Sequence, residues 1–191
     1  LADIAIITTQ DQMHKDPAIA FADKGYHLLL EKPMAVLESE CDEIAAACVR
    51  NKTIVAVCHV LHYFPPCLKI REIIDSGVLG KIVTIDHREN ILYWHFAHSF
   101  VRGNWRNTAE STFSLLAKSC HDIDLIQYWM GGSKCTKIQS FGGLFNFRPE
   151  QKPNGAASRC FECPVEAACP YSAQKVYLQR NRGFPHWPMS V

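Results

Sequence analysis

Short apolar runs rich in β-branched residues alternate with helix-forming segments over the first third of the chain, and this alternation constrains the fold most. Residues 3–9 (DIAIITT) and 27–30 (HLLL) have the composition of buried strands. Between them, Asp16 followed by Pro17 predicts the start of a helix, and Gly25 predicts its end. Two strands joined by a helix pair in parallel, so the pattern predicts a parallel sheet covered by helices.

The same alternation continues as far as residue 77. Residues 38–51 predict a second helix whose apolar side includes Ile44, and residues 54–58 (IVAVC) predict a third strand. Residues 66–76 predict a third helix, which Gly77 ends. Three strands with their helices correspond to half of a doubly wound domain.

The pattern changes after residue 80. Residues 81–93 and 134–147 have the length and composition of long strands. Residues 115–130 predict a helix that ends before Gly131. Long strands around a single helix are typical of an α+β domain.

Together these segments predict an α/β chain of two parts. Residues 1–64 are predicted to form half of a doubly wound domain, and the chain contains no G-x-G-x-x-G loop to hold phosphates. Residues 65–191 form an α+β domain with an open, mostly antiparallel sheet and a cysteine-rich insert at residues 160–169. We therefore expect the chain to begin inside a domain and to bind nucleotide weakly by itself.

The composition argues against two classes of partner. The 20 basic and 19 acidic residues give a charge of +1, which provides no electrostatic attraction to nucleic acid. No apolar run approaches the roughly 20 residues that cross a bilayer, so we expect no membrane contact. Most of the nine cysteines are scattered through predicted helices and strands, as reduced thiols are, which predicts a cytoplasmic protein.

Four polar segments mark the candidate site. Residues 8–14 (TTQDQMH), 31–33 (EKP) and 59–66 (HVLHYFPP) each follow a predicted strand. Residues 118–124 (KSCHDID) lie on the predicted helix of the second part. Ligands of doubly wound domains bind beyond the carboxyl ends of the strands, so we expect these segments to meet there.

The order of these motifs resembles one known family. T-x-D-x-x-H after the first strand, EKP after GYHLLL, and H-D-I-D on the later helix resemble the Gfo/Idh/MocA oxidoreductases, whose namesakes are glucose–fructose oxidoreductase and inositol dehydrogenase. The resemblance covers about residues 2–130 well and the rest more loosely. It implies that residues 1–64 are the C-terminal half of a Rossmann nucleotide-binding domain, whose phosphate loop would lie before residue 1, and that an α/β domain with a large open sheet follows. It also implies NAD or NADP as hydride carrier, a small-molecule substrate, and a homo-oligomer that packs through the open sheet.

Proton transfer is assigned by the resemblance to Lys32 and His121, with Asp124 as an orienting residue and Lys118 as a further catalytic candidate. A lysine accepts a hydroxyl proton at neutral pH only if burial or a nearby positive charge lowers its pKa. Lys118, His121 and Asp124 are spaced i, i+3 and i+6, so a continuous helix places them near one stripe. Asp122, four residues after Lys118, is then a possible ion-pair partner. The structural alternatives are a surface turn at EKP and an ordinary helix histidine with ion pairs.

The nicotinamide end of the cofactor is expected to contact polar residues at the strand ends, namely Thr8, Thr9, Gln10, His14, Glu31 and Lys32. The chain also departs from the family pattern at two places. Relatives often carry an Asn–Arg pair where this chain has Leu61 and His62, so His62 is a further cofactor candidate. Many relatives carry an aspartate where this chain has Ala117.

A polar and aromatic loop at residues 94–107 (WHFAHSFVRGNWRN) is suited to a polyol. Tryptophan faces stack on sugar rings, while arginine and asparagine donate to hydroxyl groups. The substrate candidates are His95, His98, Arg102, Asn104, Trp105 and Arg106. Because the loop contains two arginines, which bind carboxylates, an acidic substrate is an alternative. The alternative is a structured loop between domains.

Cys160, Cys163 and Cys169 form a C-x2-C pair with a third cysteine six residues on, which is metal-ligand spacing. Zinc needs a fourth ligand, for which Cys135 and His186 are candidates, and an iron–sulfur centre is an alternative. A disulfide or buried thiols explain the cluster without a metal.

The sequence therefore predicts a fragment of an NAD(P)-dependent oxidoreductase whose parent protein acts on CH–OH groups of a sugar, polyol or related hydroxy compound. One alternative is an NAD-dependent glycosidase of the same family, which oxidises its sugar transiently and returns the hydride. A second is a non-catalytic binding protein that lacks the phosphate loop.

Overall fold

The computed structural model describes residues 2–179, and the chain divides into two compact units. Unit 1 comprises Leu1–Glu89 and Asn107–Lys134, and unit 2 comprises Asn90–Arg106 and Cys135–Val191. In chain order, the strands and helices are β1 (Ile4–Ile7), α1 (Lys15–Asp23), β2 (His27–Leu30), α2 (Glu38–Asn51), β3 (Val55–Val57), α3 (Pro65–Asp75), α4 (Tyr93–Phe96), α5 (Ser114–Ala117) and α6 (Cys120–Met130). Short 3-10 or π-helical turns lie at Asp11–Met13, Val60–Tyr63, Ala97–Arg102, Pro149–Gln151, Cys160–Glu162, Glu166–Ala168 and Gln174–Gln179.

Unit 1 is built on a parallel sheet with the strand order β1-β2-β3. Ile4 is aligned with His27, and Leu28 with Val55, so the carboxyl ends of all three strands lie at one edge. The parallel sheet is therefore confirmed, and the observed bounds of β2 and α2 are those predicted. β1 and β3 are shorter than predicted, although Ile54 and Cys58 at the ends of the predicted third strand still exchange backbone hydrogen bonds with β2, at 2.7 Å and 2.8 Å.

The core of unit 1 lies between this sheet and the helices α1 and α2. Ala18 and Ala22 of α1 are fully buried, and these small side chains allow the helix to approach its neighbours closely. Ile44 of α2 and Leu30 of β2 are also fully buried in this cluster. Right-handed crossovers in one direction place both helices on the same face of a sheet. Ile6 points to the opposite face and is 66% exposed.

The segment that was predicted as one helix over residues 115–130 forms two. α5 ends at Ala117, and Ser119 has φ −84° and ψ 4°, which interrupts the helix before α6 begins. α6 ends at Gly131, whose φ of +45° is the left-handed conformation predicted for a helix end. Trp129 of α6 packs against α3 and donates a hydrogen bond from Nε1 to the carbonyl oxygen of Cys67 at 3.3 Å.

The prediction of long strands at residues 81–93 and 134–147 is wrong for the described part of the chain. Both segments lack regular secondary structure and strand partners, and Tyr93 instead begins α4. A strand is stable only when it is paired, and the described residues supply no neighbour to either segment. Among residues 2–179 the sheet is therefore three-stranded and parallel, not antiparallel. Oligomerisation through an antiparallel sheet stays a prediction.

Unit 2 is held together by aromatic contacts in the part that is described. The rings of Phe96 and Phe147 stack with centroids 5.7 Å apart, and Phe147 meets Tyr171 edge-on at 5.0 Å. Tyr93 also contacts Tyr171 edge-on. Within residues 2–179, no helix has the length and apolar character needed to span a bilayer.

Candidate active site

The EKP turn directly continues β2 at the carboxyl edge of the sheet. The backbone N–H of Glu31 donates to the carbonyl oxygen of Ile7 at 3.0 Å, which extends the ladder by one residue. The following Lys32–Pro33 peptide bond is cis. The ammonium nitrogen of Lys32 donates to the carbonyl oxygen of Ala117 at 2.8 Å. The turn after β2 is thus connected directly to the end of α5.

The loop after β1 lies beside this turn. Thr8, Thr9 and Gln10 are exposed there, and the hydroxyl of Thr9 donates to the carbonyl oxygen of Met13 at 3.1 Å. His14 is different, because it is fully buried. Its Nδ1 lies 2.9 Å from the carbonyl oxygen of Pro33, and its Nε2 lies 3.1 Å from that of Thr9.

Two histidines that follow β3 surround a carboxylate of α6. The Asp124 Oδ2 atom lies 2.6 Å from His62 Nε2 and 3.7 Å from His59 Nδ1. The close approach between Asp124 Oδ2 and His62 Nε2 lies outside hydrogen-bonding geometry. His62 also stacks on Tyr128, with ring centroids 4.2 Å apart. Asp124 contacts these two rings, whereas the sequence predicted that it orients His121.

His121 stands next to the same group. Its ring meets that of His59 edge-on, with centroids 5.7 Å apart. Burial, then the positive charge of Lys32, then His59 and Lys118 lower the pKa of His121, and Asp122 opposes them. A lowered pKa keeps the imidazole neutral at pH 7, where it is able to accept a proton.

The acidic partners differ from those expected. Lys118 pairs with Glu89 at 2.8 Å, because the interruption after α5 removes the i, i+4 relationship that would join Lys118 to Asp122. Asp122 instead pairs with His87, whose Nε2 lies 2.7 Å from Oδ1. The stripe predicted for Lys118, His121 and Asp124 is therefore wrong at Lys118, which lies outside α6.

Buried polar atoms without a hydrogen-bond partner are concentrated in this site. Among the described residues they include His59 Nδ1, His62 Nε2, His121 Nδ1, Asp122 Oδ2 and Asp124 Oδ2. His59 Nδ1 and His62 Nε2 each contact Asp124 Oδ2 without hydrogen-bonding geometry, whereas His121 Nδ1 and Asp122 Oδ2 have no hydrogen-bond partner. Leaving a buried polar atom unpaired costs about 1–3 kcal/mol, so each such atom calls for an explanation. The arrangement is able to receive a polar ligand that supplies several donors and acceptors.

His59 was not predicted as a site residue. It follows β3 directly, at the same sheet edge as Lys32, so the rule that sites form at strand ends would have identified it. The motif HVLH contains both His59 and His62. Its spacing of three residues also brings His59 and His62 to the same carboxylate.

The predicted substrate loop belongs to unit 2. His98 Nδ1 lies 2.8 Å from the hydroxyl of Tyr177, and burial followed by the charge of Arg102 lowers the pKa of His98. Arg102 donates from Nη2 to the carbonyl oxygen of Tyr171, while its buried Nη1 has no hydrogen-bond partner. His95 and Trp105 are half-buried, and Asn104 and Arg106 are exposed.

The predicted metal site is not formed in the part of the chain that is described, where no three histidine, cysteine, aspartate or glutamate side chains converge on one point. Cys160, Cys163 and Cys169 are free thiols, and Cys160 Sγ accepts the backbone N–H of Ala173 at 3.4 Å. Cys135 is exposed, and its thiol donates to the carbonyl oxygen of Lys137 at 3.6 Å. Short turns separate the three sulfur atoms instead of directing them to a common centre. His186, the other candidate ligand, lies outside the described residues.

A parallel sheet whose strands are joined by helices, with a lysine and histidines at its carboxyl edge, defines the class of doubly wound nucleotide-binding domains. The chain belongs to the Gfo/Idh/MocA oxidoreductase family. The family model described as "Oxidoreductase family, NAD-binding Rossmann fold" matches residues 1–59, and the one described as "Oxidoreductase family, C-terminal alpha/beta domain" matches residues 71–180.

Individual relatives share less than 30% identity with this chain, and each is longer than it. The chain is 28% identical over 130 residues to a 2,7-anhydro-N-acetylneuraminate hydratase of Mediterraneibacter gnavus, covering 68% of this chain and 34% of that protein. It is 29% identical over 129 residues to an inositol 2-dehydrogenase of Salmonella paratyphi B, covering 67% and 35%. A crystal structure of an NAD binding oxidoreductase from Klebsiella pneumoniae matches with a TM-score of 0.56 and 26% identity, covering 69% and 35%. The chain thus spans about a third of the length of these relatives.

Proposed function

We propose that this chain carries the proton-transfer residues of an NAD- or NADP-dependent oxidoreductase. In the whole protein, a hydride passes between a CH–OH carbon of a sugar, polyol or related hydroxy compound and the nicotinamide. One observation carries the proposal most directly, namely that Lys32 reaches Ala117 and lies near enough to His121 to lower its pKa. The EKP turn and the HDID helix thereby contribute to one site, next to His121.

The residues at the carboxyl edge of β1 and β2 suit the nicotinamide end of a cofactor. A carboxamide needs both a hydrogen-bond donor and an acceptor, and the side chain of Gln10 contains both. Thr8 and Thr9 add hydroxyl groups, and all three residues are exposed at the strand end. Glu31 and Lys32 complete this side, and His62 contributes from the loop after β3. When bound, the cofactor accepts or donates the hydride.

His121 is the proton acceptor in this proposal. Its imidazole is kept neutral by burial and by the positive charge of Lys32, so it takes the hydroxyl proton when the alcohol is oxidised. The Lys32 ammonium donates a hydrogen bond, and it orients and polarises the substrate oxygen. In the reverse direction, His121 returns the proton to the carbonyl oxygen.

Asp124 stabilises the neighbouring imidazoles. The carboxylate is shared by His59 and His62, which keeps both rings at the edge where β3 ends. His59 in turn packs edge-on against His121. This contact supports an indirect role for Asp124, in which it holds His59 and His59 holds His121. Lys118, paired with Glu89, adds positive charge near His121.

The loop of unit 2 is proposed to bind hydroxyl groups or a carboxylate. Arg102 has a buried guanidinium nitrogen without a hydrogen-bond partner, which suits a carboxylate or several hydroxyl oxygens. His98, four positions before Arg102, contacts the hydroxyl of Tyr177 at 2.8 Å, and the charge of Arg102 contributes to the lowered pKa of His98. The remaining candidates, His95, Asn104, Trp105 and Arg106, extend the polar and aromatic character of the loop.

A second candidate function is favoured by relatives from two organisms. The proteins of Mediterraneibacter gnavus and Escherichia coli that match this chain are named 2,7-anhydro-N-acetylneuraminate hydratases. An enzyme that oxidises its sugar transiently, changes a bond elsewhere and returns the hydride needs the same lysine and histidine. The same site therefore serves an NAD-dependent reaction without net oxidation.

One experiment separates these functions. A whole protein of the relatives' length that contains this chain is incubated with NAD or NADP and a panel of polyols, sugar acids and anhydro-sugars. We expect a substrate-dependent change in reduced nicotinamide, with the substrate followed by chromatography. Conversion of substrate at constant nicotinamide redox state supports the second function. Failure of the whole protein to bind either nucleotide contradicts both.

A further inference from the structure

His14 is one of the largest side chains that are fully buried in the described part of the chain. It begins α1, where its own carbonyl oxygen accepts the backbone N–H of Ala18 at 3.1 Å. Its ring lies between two different loops. The carbonyl oxygen of Thr9 belongs to the loop after β1, and that of Pro33 belongs to the turn after β2. One imidazole therefore connects the two loops that carry the proposed nicotinamide contacts.

Both contacts of this ring are to carbonyl oxygens, which only accept hydrogen bonds. A neutral imidazole donates through one nitrogen and presents a lone pair at the other. Whichever nitrogen carries the proton, the ring lies 2.9 Å from a carbonyl oxygen of one loop and 3.1 Å from a carbonyl oxygen of the other, so it bridges the two loops directly. The ionisable residues on the elements that meet at His14 are Asp11, Lys15, Asp16, Glu31 and Lys32. Asp11 is itself 6% exposed, so an acidic group is buried within the same turn.

We propose that His14 is a positioning residue that holds the Lys32 turn in place, because its buried ring bridges the loop after β1 and the turn after β2. Pro33, whose carbonyl oxygen it holds, is buried and directly follows Lys32. Fixing that peptide fixes the direction in which Lys32 leaves the strand, and hence the reach of its ammonium to Ala117. Neither ring nitrogen of His14 is left for a ligand, so its action on the site is indirect.

The catalytic consequence of this inference rests on the proposed function of Lys32, whereas the positioning of the turn does not. The geometry itself is tested without cofactor or substrate, on the 191-residue chain. Nitrogen-15 spectra of the histidine rings are expected to show a ring N–H of His14 that is protected from solvent exchange, because the ring is fully buried and hydrogen-bonded. A His14 ring N–H that exchanges freely with solvent overturns the buried bridge.

The positioning role is tested with His14→Ala and a chemical replacement for the missing ring. The rate at which an amine-reactive reagent labels Lys32 is expected to rise about tenfold in the variant, because the hydrogen bond from Lys32 to Ala117 is weakened when the turn is not fixed. Imidazole added to the solution is expected to restore slow labelling. Pyrazole, a ring of the same size that stays neutral and has adjacent nitrogens, is expected to fail.

Exposed Lys24 serves as the internal control, since its labelling is expected to be equal in all samples. Unchanged labelling of Lys32 in a folded His14→Ala chain overturns the positioning role. Equal rescue by imidazole and pyrazole also overturns it, because the ring then acts by filling space alone. If His14 behaves as expected and the whole protein still transfers no hydride, the proposed function fails while the positioning role stands.

Discussion

Lys32 donates a hydrogen bond from Nζ to the carbonyl oxygen of Ala117, 85 positions later in the chain, at 2.8 Å. Ala117 is the position at which the family resemblance implies an aspartate in many relatives. In this chain the side-chain carboxylate is absent, and the lysine uses the main-chain oxygen of the same residue. The contact between the EKP turn and the helix region thus persists without an acidic side chain.

Replacing Lys32 by methionine is expected to abolish most of the proposed activity in the whole protein. Removal of a positioned proton-transfer or polarising group typically lowers kcat by about 10²–10⁴-fold. The loss should fall on kcat more than on nucleotide affinity, because one contact among several to the cofactor is removed. Lys24→Met, at an exposed position, is the matched control and should retain normal kinetics. An active Lys32→Met enzyme would show that another group performs this step.

The same substitution is expected to raise two pKa values in the isolated chain. The positive charge of Lys32 lowers the pKa of His121 and partly offsets the effect of burial on the pKa of Cys120. Without that charge, the pKa of His121 should move up towards about 6.5, and that of Cys120 should move further above its ordinary value. Carbon–proton NMR titration follows the histidine, and the pH dependence of alkylation follows the thiol. Titration curves that coincide with those of the wild type would place Lys32 away from both groups.

Sequence signals were accurate where local rules decide the structure. The bounds of β2 and α2 follow from apolar composition and helix periodicity, and both agree with the structure. The interruption after Ala117 was missed, because Lys118 and Ser119 are compatible with a continuous helix and no glycine or proline marks the break. The long strands were predicted from alternation alone, whereas a strand also requires a partner.

The sequence predicted only part of the candidate site, because local patterns locate strand ends but not tertiary contacts. Lys32 and His62 lie at strand ends, which the alternation locates. The link from Asp124 to His59, and that from Asp122 to His87, depend on tertiary contacts over 65 and 35 positions, respectively, which no spacing rule contains. The cofactor and substrate assignments of individual residues stay predictions, as do the boundary at residue 64 and the cytoplasmic location.

Truncation of Ile44 should weaken unit 1 through its core. The side chain is fully buried between α2 and the sheet, and an isoleucine-to-alanine change at such a site costs about 2–5 kcal/mol. Val49→Ala on the same helix is the matched control, because Val49 is 79% exposed and should change the free energy of unfolding by at most about 0.5 kcal/mol. Urea unfolding followed by circular dichroism measures both. Similar losses for the two variants would contradict the described core.

Acid should destabilise the chain through His121. The native pKa of this residue is lowered by burial and by Lys32, so between the native value and about 6.5 the unfolded chain binds a proton that the native chain does not. The free energy of unfolding therefore rises with pH through that window, and the stability from the neutral ring is present above about pH 6.5 and lost below it. Comparison of urea unfolding at pH 7.5 and pH 5.5 measures this loss, which should be smaller in His121→Asn. Gln127→Asn, at an exposed position of α6, should behave as the wild type. If His121→Asn loses as much stability between pH 7.5 and pH 5.5 as the wild type, or more, the ring is protonated in the native chain. His121 would then be unable to act as the neutral base of the proposed reaction.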